Sequence, residues 1–203
     1  MSATRNKLIE VARQLFAKTG VENTTMNDIA QASKKGRRTL YTYFQSKKDI
    51  YHAVIESELD ILYSKLQTVE EKDLPADKKL LEFIYTRLEA VKEVVSRNGT
   101  LRANFFRNIW LVENVRKDFD IREIEFLKKI LDEGVCEGIF DISNSHVTAV
   151  ILHHAFKGLE VPYIRGSMSE FWTTRDGKIN DIINLLFNGI LNKERVVYDV
   201  SIE

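Results

Sequence analysis

Along most of the chain, apolar residues return every three or four positions, the spacing that lines one face of an α-helix. Over residues 5–20 the stripe is Leu8, Val11, Ala12, Leu15 and Phe16, and Gly20 suits the turn beyond the last coil. A second, short helix follows Thr25, which forms a capping-box signature with Asp28; Met26, Ile29 and Ala30 face inward, and the helix ends by Ala32. Past a break at residues 33–36, a third short helix carries Leu40, Tyr41, Tyr43 and Phe44. Ser46 and Asp49 repeat the cap and open a long fourth helix with Ile50, Val54, Ile55, Leu59, Leu62 and Leu66 on its buried face.

Pro75 fits the first turn of a fifth helix striped by Leu80, Leu81, Ile84, Leu88, Val91 and Val95. Gly99 separates it from a short aromatic helix over residues 100–112, and an amphipathic helix over 120–135 follows, ending near Gly138. A more apolar helix over 143–166 is expected to kink or end at Pro162, and residues 177–193 form the last helix. No stretch alternates as a strand does, and there is no repeat or low-complexity tract. The expected fold is all-α with about nine helices: a three-helix head over residues 1–48 and a larger helical body over 49–203.

Charge changes this picture more than composition does. Lys plus Arg and Asp plus Glu both number 30, so the whole chain is neutral. Residues 1–50 nevertheless hold ten basic and four acidic side chains, leaving +6 there and −6 in the remainder. Such asymmetry points to a nucleic-acid or membrane-surface module joined to a body with another role. The single cysteine, Cys136, excludes an internal disulfide framework and reads as a buried thiol in a reducing compartment. No window approaches the ~18 apolar residues of a membrane span, and no signal peptide is visible, so a cytoplasmic protein is expected.

Three short helices with a tight turn between the second and third describe a helix-turn-helix, in which the third helix enters the major groove. Arg37 and Arg38 stand at its N-terminal end, where arginines reach guanine acceptors. Thr39, Tyr41 and Tyr43 offer hydroxyls for phosphate oxygens, and Lys47 adds a cation at the start of the fourth helix. With Thr25 and Lys35 these are the candidate DNA contacts. A solvated basic face on a helical hairpin is the bland alternative; two capped helices, a break of the right length and paired tyrosines weigh against it.

These residues carry a resemblance. The run Thr25, Ile29-Ala30, Thr39-Leu40-Tyr41-Thr42-Tyr43-Phe44, Ser46-Lys47 and Asp49-Ile50 is similar to the DNA-binding domain of tetracycline-repressor-like (TetR) transcriptional regulators. Ala12, Leu15, Phe16 and Gly20 fit that family's first helix, so the match spans residues 8–50. Two positions depart from it. The family's turn reads Gly-Val-Ser where this chain has Lys34, Lys35 and Gly36, placing Lys34 at a position that often needs positive φ. Arg38 stands where glycine is common, so no relative's base preference carries over.

The resemblance implies a C-terminal body that binds a small effector and forms a homodimer. Candidate effector contacts are Phe105, Phe106, Trp110, Phe126, His153 and Tyr163, apolar walls with a few polar groups; each also reads as plain core. Candidate dimer residues are Val150, His154, Ile182, Leu186, Gly189 and Ile190, on two long apolar helices that would form a four-helix interface. His153 and His154, being adjacent, diverge by ~100° on a helix, and no clustered Cys/His spacing accompanies them or His146, so no metal site is expected. Phosphate-binding glycine loops and nucleophile elbows are also absent from the sequence, which predicts no cofactor and no catalytic residues. The expected function is that of a regulator, a repressor, released from a pseudopalindromic double-stranded operator by a small hydrophobic effector. The alternatives are a helical carrier or enzyme with a vestigial DNA module, and an effector-free nucleoid-type protein.

Overall fold

The computed structural model describes residues 3–98, 109–164 and 184–188. The described helices are α1 (Ala3–Thr19), α2 (Met26–Ala32), α3 (Arg37–Tyr43), α4 (Lys47–Glu70), α5 (Ala76–Asn98), α6 (Ile109–Cys136) and α7 (Ser145–Ile164), and residues 184–188 are helical as well. No strand occurs among the described residues. Met1–Arg165 group into one compact unit and Gly166–Glu203 into a second.

The head is held by a small core. Leu8, Ala12 and Phe16 of α1, Ile29 of α2, Leu40 of α3 and Ile50 of α4 are all fully buried or nearly so. Each large apolar side chain removed from water in this way contributes about 1.5–3 kcal/mol. α1 packs on α2 and α4, and α2 packs on α3. Both predicted capping boxes are present, Thr25 with Asp28 and Ser46 with Asp49, so α2 and α4 each begin where a side chain satisfies an orphan backbone N–H.

α4 is shared between head and body. Near its start the Tyr51 ring meets Phe16 of α1 edge-on at 6.1 Å, and farther along Tyr63 stacks on Phe126 of α6 at 5.0 Å. The predicted face Ile50, Val54, Ile55, Leu59, Leu62 and Leu66 is buried throughout. α4 also packs on α5, and α5, α6 and α7 pack on one another.

Three expectations change. The aromatic segment and the amphipathic helix after it are continuous from Ile109, since no Gly or Pro interrupts residues 109–133. α7 runs through Pro162 to Ile164 rather than ending at the proline; two residues from the helix end, the ring removes one backbone bond and its fixed φ remains helical. Cys136 is exposed, not buried, because it falls in the last turn of α6 on the side away from the packed face. That helix stops where predicted: Gly138 takes φ 71° and its N–H reaches the Val135 carbonyl. The chain then folds back so closely that a Cβ on Gly134 would sit 2.1 Å from the Phe140 ring. Residues 100–108, most of the aromatic segment, lie outside the described residues.

Candidate nucleic-acid interface

The turn between α2 and α3 is built from backbone bonds. Lys35 N–H reaches the Ala30 carbonyl and Lys34 N–H the Gln31 carbonyl, both at 3.0 Å. That pair of bonds is a Schellman motif, which requires its middle residue in the left-handed region. Lys34 has φ 54°, the one non-glycine positive φ among the described residues. The lysine thus occupies the strained position that the resemblance to the Gly-Val-Ser turn implied. Ser33 reinforces the stop by donating its hydroxyl to the Ala30 carbonyl at 3.0 Å.

α3 begins at Arg37 with Gly36 as N-cap and no side-chain cap bond. Leu40 and Phe44, one turn apart, are buried and fasten the helix to the head, and the Arg5 guanidinium lies over the Phe44 ring at 5.4 Å. What remains faces water. Arg37, Arg38 and Thr42 are exposed, and Tyr41 and Tyr43 keep 44% and 38% of their surface. Exposed aromatic rings are thus concentrated on a seven-residue helix.

The other candidates sit around this helix in differing states. Lys35 and Thr39 are half-buried. Thr25 is exposed, with its hydroxyl donated to Asp28 Oδ2 at 2.7 Å. That bond and the backbone N–H of Thr25 hold the Asp28 carboxyl below its ordinary range. Lys47 is half-buried, and its Nζ donates to the Glu22 carbonyl at 3.1 Å, tying the start of α4 to the loop after α1. Its remaining N–H donors are compatible with phosphate, but it is also a strut.

In the body, the effector candidates fall apart into separate places. Phe105 and Phe106 lie outside the described residues, as do the side chains of Trp110 and Tyr163. Phe126 is half-buried against Tyr63, with the Arg122 guanidinium 4.2 Å over that ring, at an open groove between α4 and α6. His153 is buried elsewhere, in a cluster that sequence reasoning missed. Its Nδ1 lies 2.6 Å from Glu123 Oε2 and its Nε2 lies 3.7 Å from Asp120 Oδ1. Arg87 of α5 donates to both oxygens of Glu123, and Lys157 of α7 donates to Asp120 Oδ2 at 2.8 Å. Arg116 Nε stands 3.5 Å from Asp120 Oδ1.

Burial pushes the Glu123 carboxyl up, but the Arg87 charge and the His153 bond outweigh it and hold it below the ordinary value. Asp120 follows the same pattern: burial opposes, and bonds to His153 and Lys157 hold it low. Burial lowers His153, and the two carboxylates more than reverse this, leaving its pKa raised. The donor atoms of Asp120, Glu123 and His153 lie within 4.8 Å of one another, near enough for one cation. Arg87, Arg116 and Lys157 already attend the two carboxylates, so the cluster reads as an ion network rather than a vacant chelate.

Of the dimer candidates, Val150 is half-buried and His154 exposed on α7, and Leu186 is half-buried. Ile182, Gly189 and Ile190 lie outside the described residues. Val147 and Ile151, 50% and 62% exposed, fall with His154 and Gly158 at helical spacing on one open face of α7. Among the described residues no helix is long and apolar enough to cross a membrane.

A buried two-point anchor, a turn that stops α2 sharply and an arginine-tipped helix facing water are the geometry of a helix-turn-helix. Residues 8–54 match the family model for bacterial regulatory proteins of the tetR family. The chain is 24% identical over 153 residues to the HTH-type transcriptional regulator YhgD of Bacillus subtilis, covering 75% of this chain and 80% of that one. An HTH-type transcriptional regulator of Staphylococcus aureus (strain USA300) is 37% identical over 67 residues, 33% of this chain and 36% of its own length. Among solved structures, the fatty acid degradation regulator FadR of Bacillus halodurans superposes with a TM-score of 0.69 at 15% identity, covering 94% of this chain and 97% of that one. FadR of Bacillus subtilis, solved with stearoyl-CoA, gives 0.66 at 16% identity over 92% of this chain and 99% of that one. These two likenesses concern the fold. Residues 8–54 are thus similar to the DNA-binding domain of the tetR family, and the relatives matched in sequence are HTH-type transcriptional regulators.

Proposed function

We propose that the chain is a repressor that binds a pseudopalindromic operator as a two-fold homodimer and is released by a small hydrophobic effector. The observation that carries the DNA half of this reading is the α3 surface: Arg37 and Arg38 exposed at its N-terminal end while Leu40 and Phe44 hold its other side. Exposed cations at that end of a recognition helix are placed to reach guanine O6 and N7. One head reads only a few base pairs, too few for useful discrimination in a genome, so two copies are needed. The open stripe Val147, Ile151, His154 and Gly158 supports α7 as part of the pairing surface. In this reading residues 1–48 are the reading head and 49–203 the effector and pairing body.

The hydrophobic effector is supported by the aromatic supply of the body and by the stearoyl-CoA held by one structural neighbour. The test has two stages. Selection of bound duplexes from a random pool should enrich one inverted repeat. Long-chain acyl-CoA and free fatty acids, titrated against that complex, should then release the DNA. Coupling of about 1–3 kcal/mol is expected and must be reciprocal, with DNA weakening the effector equally. An enriched repeat whose affinity none of these lipids changes would remove the acyl effector and leave the DNA reading standing.

A further inference from the structure

Arg13 is on α1 but takes no part in the surface assigned to DNA. Its side chain is 13% exposed, and its Nε and Nη2 donate to Glu10 on the same helix at 2.9 and 2.5 Å. That pair, one turn apart, orients the guanidinium and holds the Glu10 carboxyl below its ordinary value. The same guanidinium also leaves its helix. Nη1 donates to the Arg97 carbonyl in the last turn of α5 at 3.3 Å, and Nε lies 3.9 Å from Glu58 Oε1 on α4. Glu58 is itself nearly buried, and its other oxygen accepts from Arg97 Nη2.

Each contact has a physical reason. The last carbonyls of a helix have no intrahelical donor, and a cation beside them is favoured by the helix dipole. Arg13 therefore acts as a C-terminal cap for α5 supplied by the reading head. A guanidinium presents five donors in a rigid fork, so one side chain can hold three helices at fixed angles. α1 packs on α2, which packs on α3, so the recognition helix turns with α1. Tilting the head about the shared helix α4 would break the Arg13 contacts to Glu58 and Arg97.

We propose that the Arg13–Glu58–Arg97 bridge sets the angle of the head on the body and so determines which half-site spacing a pair of chains accepts. The proposal rests on the two-fold reading above. Recognition helices of such a pair must meet groove faces ~34 Å apart, and each added base pair moves and rotates the second face. A rigid head rejects the altered spacing; a loosened one follows it. The bridge is partly open to water, Arg97 keeping 37% of its side-chain surface, so the expected effect is several-fold rather than absolute.

The test is a selection by the full-length chain from a pool of inverted half-sites with spacers of varied length. Wild type should enrich one spacer. Arg13→Ala and the near-isosteric Glu58→Gln should enrich the same half-site sequence while losing several-fold of the preference for that spacer over those one base pair longer or shorter. Glu10→Gln keeps an acceptor oxygen to orient Arg13 while removing the charge within α1, and should keep the wild-type spacing. Thermal melting confirms that each variant is folded. Unchanged spacer preference in both Arg13→Ala and Glu58→Gln overturns the bridge alone. Wild type enriching single half-sites with no repeat overturns the two-fold reading and the bridge with it.

Discussion

The head and the body handle charge in opposite ways. In the head, Arg37 and Arg38 at the start of α3 and Lys34 in the turn before it are exposed. In the body, Arg87, Glu123 and His153 are 0% exposed and meet only because three helices converge. Charges that stay in water cost the fold little and remain free to bind phosphate; charges taken out of water must be matched within the protein. The first arrangement suits a charged partner, and the second fixes how the body's helices assemble.

The sharpest way to separate them is Glu123→Gln. It leaves Arg87 buried without its carboxylate, and removing one partner of such a pair costs about 3–5 kcal/mol. Denaturant unfolding should register that loss, while base preference in the folded fraction stays as in wild type. A loss below about 1 kcal/mol would mean that the buried network is as weak as a surface pair.

pH sharpens the same contrast. The raised His153 value means that its contribution is present below the unfolded histidine pKa of about 6.5 and is lost as pH rises through the native value. Asp120 and Glu123 are held low, so theirs is present above the unfolded carboxylate pKa and lost as pH falls through the native values. Melting temperature should therefore decline on both sides of a middle range. His153→Gln should remove the alkaline decline and spare most of the acid one. An unaltered alkaline decline in that variant would assign it to other groups.

In the head, Lys34→Gly should move stability and binding in opposite directions. Glycine relieves the left-handed backbone, worth about 1 kcal/mol, and deletes a cation beside the recognition helix. Melting should rise while DNA affinity falls at low salt. If both rise, Lys34 makes no contribution to binding. Lys47→Ala is a finer test, because its Nζ already holds the Glu22 carbonyl. If it also touches phosphate, the salt dependence of binding should become shallower by about one charge; an unchanged slope with lowered stability would leave it a strut only. The smallest effect should come from Gly36→Ser, which supplies the missing cap of α3 where a Cβ meets nothing nearer than Thr39 Oγ1 at 4.0 Å. A gain of a few tenths of a kcal/mol is expected in unfolding.

How much of this was legible beforehand follows from the range of each interaction. The caps at Thr25 and Ser46 and the stop at Ala32 depend on residues within a few positions of one another and were readable locally, while the strained Lys34 was implied by the resemblance of its turn. The bonds that join Glu123 to Arg87 and His153 span 30 or more positions, so no local rule announces them. They did leave a trace. Glu123 occupies an apolar-stripe position between Phe119 and Leu127, and Arg87 one between Phe83 and Ala90, all of them buried. A charged residue in a core register implies a partner in another core register, without saying which. The exposure of Cys136 escaped for a related reason: its neighbours are apolar in sequence, yet the last turn of α6 turns that side chain outward.

The most direct measurement is the selection profile of Arg37→Ala and Arg38→Ala beside wild type, each drawn from the same random duplex pool. If α3 reads bases through its N-terminal end, at least one variant should lose about 1–3 kcal/mol and relax preference at defined, symmetry-related positions. Affinity for unrelated duplex should fall only by the loss of one charge. Profiles for both variants that match wild type at every position would contradict the assignment of α3 as the helix that reads DNA.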